Sequence, residues 1–156
     1  MSDEQHIIAE SWSDSMIELL TDQHRVVSKL LDLARYQGKL IETGRTEPLL
    51  GLLAQRQKLI DEFTSMQERL GRLTDDRERQ LQQLHQTQRT MIQDLMDQIS
   101  EKLNLVMAQD EIDQKTLAAA RDKVKQELRA TGNMQQARNA YHHVGAPSSR
   151  FADQRG

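Results

Sequence analysis

Leu40-Ile41-Glu42-Thr43-Gly44-Arg45-Thr46-Glu47-Pro48-Leu49-Leu50-Gly51-Leu52-Leu53 is the stretch on which the fold turns. Gly44 stands where a helix C-cap belongs, since glycine takes the left-handed backbone without a Cβ clash. Thr46, Glu47 and Pro48 then read as an N-cap, an acidic first turn and a proline tolerated there. A connection as short as Gly44 to Thr46 forces the flanking helices to lie antiparallel as a hairpin.

Working back from this turn, apolar residues recur at heptad spacing: Leu20, Val27, Ala34 and Ile41, interleaved with Ile17, His24, Leu31 and Gly38. Leu30, Leu33 and Leu40 widen the stripe, as expected of a helix that meets two partners. The helix start is expected between Asp3 and Asp14, where Ser2/Gln5 and Ser11/Asp14 have capping spacing. From Asp14 to Thr43 the helix spans roughly 45 Å at 1.5 Å per residue.

Working forward, Leu52, Leu59, Met66 and Leu73 share one register of the second helix. Leu49, Phe63 and Leu70 share another, which Arg56 interrupts. Gly71 and Thr74-Asp75-Asp76 break the pattern. Asp75 with Glu78 opens a third helix, whose core positions run through Leu81, Leu84, Met91 or Ile92, Leu95, Ile99, Leu103 and Val106. The acidic residues Asp110, Glu111 and Asp113 follow, and then Leu117, Ala120, Val124 and Leu128. Nothing in the acidic cluster forbids helix, so continuity across it is expected. Thr131-Gly132-Asn133 reads as a stop. Asn133 with Gln136 restarts a short helix with Met134, Ala137, Tyr141 and Val144 on one face, ended by Gly145 and Pro147.

Composition agrees. Aromatics make up 3%, and there are seven glycines, two prolines and no cysteine in 156 residues. Strands need β-branched and aromatic alternation that is scarce here. The expected fold is all-α: an elongated antiparallel bundle of three long helices with coiled-coil-like packing, plus a short C-terminal amphipathic helix. Residues 1–131 form the core, 132–146 the short amphipathic segment and 147–156 a disordered tail. That segment spans about ten residues, and an isolated helix below roughly 12 to 15 is marginal in water. It must dock on its own bundle, dock on a partner, or be loose.

No cysteine means no disulfide, no thiolate catalysis and no thiolate metal site. No apolar run approaches a membrane span, and the start of the chain is acidic, so membrane insertion and a secretory signal are not expected and the cytoplasm is. The net charge of −3 argues against nonspecific nucleic-acid binding. Its distribution is uneven: Asp3, Glu4, Glu10, Asp14, Glu18 and Asp22 precede the first basic side chain, whereas Arg138, Arg150 and Arg155 face only Asp153 after Thr131.

Little points to catalysis. None of His6, His24, His85, His142 and His143 pairs at the i, i+4 spacing of helical metal ligands. A histidine phosphotransfer domain is also a helical bundle, but Gln86-Thr87-Gln88-Arg89 after His85 supplies neither the lysine nor the small residue. His24 reads as a core-edge histidine. Carboxylates on polar faces keep ordinary acidity and make poor general acids or bases. There is no phosphate loop or nucleophile elbow. Arg69, Arg72, Arg77, Arg79 and Arg89 are interleaved with acids, as on a solvated face. Met16, Met66, Met91, Met96, Met107 and Met134 lie on or near apolar stripes, as flexible core filler does. No enzyme, cofactor or metal is expected.

A long first helix, the Glu42-Thr43-Gly44 turn and a second helix carrying Leu49-Leu50, Leu52-Leu53 and Lys58-Leu59-Ile60 resemble the flagellar export chaperones of the FlgN family. Ala137, Ala140, Tyr141 and Gly145 resemble that family's C-terminal pattern of a tyrosine four residues before a glycine, and Ser148-Ser149 with Asp153 suit its polar end. The acidic cluster at Asp110 and the His142-His143 pair depart from the pattern. The resemblance implies a cytoplasmic type III secretion chaperone. Such a protein holds the hook–filament junction proteins FlgK and FlgL through their C-terminal helices and delivers them to the flagellar export apparatus. Carried over, it makes Val124, Leu128, Met134, Ala137, Tyr141 and Gly145 the partner-binding residues. Tyr141 is the leading anchor, since tyrosine combines large contact area with low entropy cost. The competing expectation is a coiled-coil scaffold or adaptor that uses the same stripes to form a homodimer.

Overall fold

A computed structural model describes residues 2–75 and 77–145, and among them every regular element is a helix. The fold is all-α, a helical bundle. The helices are α1 (Ser2–Glu42), α2 (Leu49–Thr74), α3 (Arg77–Gln82) and α4 (Gln86–Gly145). The chain divides into two compact units, residues 1–114 and 115–156.

The turn that decides the fold behaves as its glycine requires. Gly44 has φ +71°, and its N–H donates to the Ile41 carbonyl at 3.2 Å while Arg45 N–H donates to Leu40 at 2.8 Å. This pair of bonds is the Schellman closure, which satisfies carbonyls that the end of α1 would leave bare. Thr46 does not cap α2 with its side chain. Pro48 holds the N-cap position at φ −74°, ψ −11° with no side-chain cap, and Thr46 contributes its carbonyl to Leu49 N–H at 3.1 Å.

Within residues 1–114, long-range hydrogen bonds fix the register of α2 on α1. Trp12 Nε1 donates to the Leu73 carbonyl at 2.8 Å, Gln23 Nε2 to Gln67 Oε1 at 2.9 Å and Arg56 Nη1 to Gln37 Oε1 at 2.6 Å. As α1 numbers rise α2 numbers fall, so these two helices run antiparallel, as the short turn requires. Ser28 accepts from Lys102 Nζ at 2.7 Å and Gln37 donates to Asp113 at 3.4 Å, so α1 and α4 rise together.

The core follows the heptads. One cluster joins Ala9, Met16, Leu20, Val27, Leu84, Ile92 and Ile99, with Trp12, Phe63, Leu70 and Leu81 packed against it. A second joins Leu30, Leu31, Ala34 and Val106, with Leu59 against it. Fully burying one such side chain contributes about 1.5–3 kcal/mol, so apolar burial on α1 outweighs any single polar contact.

Three sequence expectations are corrected. Gly71 lies inside α2, which runs to Thr74; one glycine costs a helix only about 1 kcal/mol against alanine. The third helix is interrupted: α3 ends at Gln82, the chain leaves helix over residues 83–85, and α4 starts with the His85 carbonyl accepting from Gln88 and Arg89 N–H. The break lets Leu84 enter the core beside Ala9 and Met16. Finally, Thr131-Gly132-Asn133 does not stop the helix. α4 crosses it, as it crosses Asp110–Asp113, and Thr131 Oγ1 donates to the Glu127 carbonyl at 2.8 Å. No separate short C-terminal helix forms at 132–146; residues 132–145 are the last turns of α4. The tail expected at 147–156, and residue 146, lie outside the described residues.

A buried polar layer and an exposed α4 surface

The core of residues 1–114 ends in a polar layer. Arg56, which interrupts an apolar register of α2, is buried and reaches α4. Its Nη1 and Nη2 each donate to the Asp110 carboxylate at 2.8 Å, and Nη1 also donates to Gln37 at 2.6 Å. Gln109 Nε2 donates to Asp113 Oδ1 at 2.9 Å, and a side chain at Gly38 would collide with that amide. The acidic cluster therefore has a structural partner. Both halves of the layer are visible in the sequence as charges of opposite sign at core positions of separate helices. Their pairing is not, because they stand 54 residues apart.

The methionines divide. Met16 is fully buried and Met66 and Met96 are partly so, but Met91, Met107 and Met134 are exposed and fill no core. His24 is partly buried; burial, and secondarily the Lys102 ammonium, hold its imidazole below the usual range. His85 is exposed and stacks edge-on against His6 at 5.3 Å between ring centroids, and His6 also meets Glu10 at 3.2 Å. Among the described residues no group of His, Asp and Glu could hold a metal ion, and no helix is long and apolar enough to cross a membrane.

In the second unit the partner-binding residues expected from the sequence lie on α4. Val124, Leu128, Met134 and Tyr141 are 53%, 65%, 73% and 85% exposed, and Ala137 is exposed as well. Gly145 is the last residue of the helix. Because α4 is continuous, helical rotation fixes which of them share a face. Val124 and Leu128 are one turn apart on one stripe, and Met134, Ala137 and Tyr141 fall on another. The six residues from Leu128 to Met134 rotate about 600°, so the two stripes lie about 120° apart. A single straight partner helix covers one stripe or the other.

Charge divides at the same boundary as the units. Residues 1–114 carry thirteen Lys and Arg against twenty-one Asp and Glu, a net of −8. Residues 115–145 carry six (Lys115, Arg121, Lys123, Lys125, Arg129 and Arg138) against Asp122 and Glu127, a net of +4. Compared with protein-family models, curated proteins and solved structures, the chain matches none.

Proposed function

We propose that this chain is a cytoplasmic type III flagellar secretion chaperone. It binds hook–filament junction proteins of the FlgK and FlgL kind by helix–helix association through the C-terminal part of α4, and hands them to the export apparatus. The observation that carries this reading is the set of half-exposed to exposed apolar side chains that α4 carries on two stripes after Gln114: Leu117, Val124, Leu128, Met134 and Tyr141. Water does not favour so much uncovered apolar surface on one helix, and such surface marks an interaction site. A client helix laid along either of the two stripes these residues form buries apolar area on both partners, and no chemical step is needed. In this reading residues 1–114 are an antiparallel bundle of three long helices, α1, α2 and the first part of α4, and the client is held by the part of α4 after Gln114.

The test is a pull-down from cytosol containing junction proteins. The bait is the intact chain, compared with one carrying Val124→Asp, Leu128→Asp, Met134→Asp and Tyr141→Asp together. Recovery of junction proteins by the intact bait alone is the expected result. If neither bait recovers them and the chain captures only its own copies, the function is that of a homo-oligomeric scaffold, which the same exposed stripes would serve.

A further inference from the structure

The positions by which α4 packs in residues 1–114 form a regular seam. Ile92, Ile99, Val106 and Asp113 recur every seven residues, with Met96, Leu103 and Asp110 between them, and all seven are buried or partly buried. The same repeat continues to Leu117, Ala120 and Val124, and Leu128, one turn after Val124, keeps to that face although the repeat itself passes through Glu127. There the exposure of Leu117 is 49% and that of Val124 and Leu128 is higher still. The exposed seam from Leu117 to Leu128 is thus the continuation of a stripe that this chain already uses to pack helices. One of its borders is basic. Arg121 and Lys125 border it on one side and Glu127 on the other, in a stretch with a net charge of +4.

We infer that the seam Leu117–Val124–Leu128 docks one amphipathic helix with acidic borders, lying along α4 as the bundle's own helices lie along its first half. The inference rests on the reading of the C-terminal part of α4 as a client site, and it narrows that reading. The client segment is acidic beside its apolar stripe, and the contact lies on the seam. Tyr141, which sequence reasoning makes the leading anchor, lies off it with Met134 and Ala137. Apolar burial supplies the affinity, while the charge at the borders selects the partner and speeds encounter.

The experiment titrates the full-length chain into two fluorescein-labelled synthetic peptides of about three heptads. They share the same leucine stripe; one has glutamates at the bordering positions and its twin has lysines. The glutamate peptide binds at low ionic strength at least tenfold tighter than the lysine peptide, and added salt narrows the gap. Val124→Asp with Leu128→Asp weakens that binding tenfold or more, and Met107→Asp, at an exposed methionine outside the proposed surface, leaves it unchanged. Equal binding of the two peptides, binding of neither, or undiminished binding by the Val124/Leu128 variant overturns the inference. So does a stable dimer in light scattering that Val124→Asp with Leu128→Asp dissolves, since the occupant is then a second copy. Any of these together with recovery of junction proteins by the intact chain removes the acidic docking seam and leaves the chaperone reading standing. Binding of the glutamate peptide with no junction protein recovered does the reverse.

Discussion

Arg56 and Asp110, on different helices and 54 residues apart, face each other fork to carboxylate through two hydrogen bonds of 2.8 Å. The arginine side chain is 10% exposed and the aspartate 35%. Burial makes such a pair costly to break from one side, since the remaining charge is left without its partner.

Arg56→Ala is therefore expected to destabilise the chain by about 2–3 kcal/mol, below the full cost of breaking a wholly buried pair because Asp110 keeps some water. Arg56→Leu combined with Asp110→Leu recovers most of that loss. Urea denaturation of Arg56→Leu, Asp110→Leu and the double variant measures the coupling. A double variant no better than the sum of the singles would show that the pair does not act as a unit.

Met16 has no exposed surface, whereas Met107 is 67% exposed. Met16→Ala should cost about 2–5 kcal/mol through lost burial and the cavity left behind. Met107→Ala should stay within about 0.5 kcal/mol. Comparable midpoint shifts in the two would contradict this placement of the core.

Two glycines should respond to alanine with opposite signs. At Gly44, with φ +71°, the added Cβ strains the left-handed cap, and the melting temperature falls by the equivalent of about 1 kcal/mol. At Gly132 nothing lies within 4 Å of the added methyl, so alanine strengthens α4 by up to about 1 kcal/mol. Slower amide exchange around residue 132 is the readout there.

Acid should weaken the fold slightly through His24, whose folded-state imidazole titrates below its ordinary range because of burial and then Lys102. Between the lowered folded value and the ordinary unfolded one, the unfolded chain binds more protons, so stability rises with pH across that window. The penalty is complete below the folded value and absent above about pH 7. His24→Gln flattens this part of the stability–pH profile. A profile of unchanged slope in that variant would assign the dependence elsewhere.

Tyr141 is 85% exposed, so Tyr141→Ala should leave the thermal midpoint within its error. A fall of several degrees would mean that the ring is packed against something.

What the sequence made legible was local. The closure at Gly44 follows from one residue's backbone freedom, and the heptads of Leu20, Val27 and Ala34 follow from helical period, so the α1–α2 hairpin could be read in advance. The pause at residues 83–85 could not, because its cause is the burial of Leu84 against Ala9 and Met16 at the far end of the chain. Arg56 showed as an interruption without showing its answer. At Gly132 a glycine flanked by turn-forming residues imitates a stop, but the helical bonding on both sides outweighs its propensity cost. That misreading mattered for the candidate surface. With a stop there, Val124, Leu128, Met134 and Tyr141 could be arranged at will, whereas an unbroken α4 puts them on two stripes.

The chain's single tryptophan, Trp12, is tied by its indole N–H to the Leu73 carbonyl at 2.8 Å, inside residues 1–114. Its emission is therefore a reporter for that unit alone, while ellipticity sums every helical turn out to Gly145. Curves followed by the two kinds of light will part company as soon as the last turns of α4 fray ahead of the core. Where the curves part, a single unfolding free energy describes only the part that the tryptophan sees.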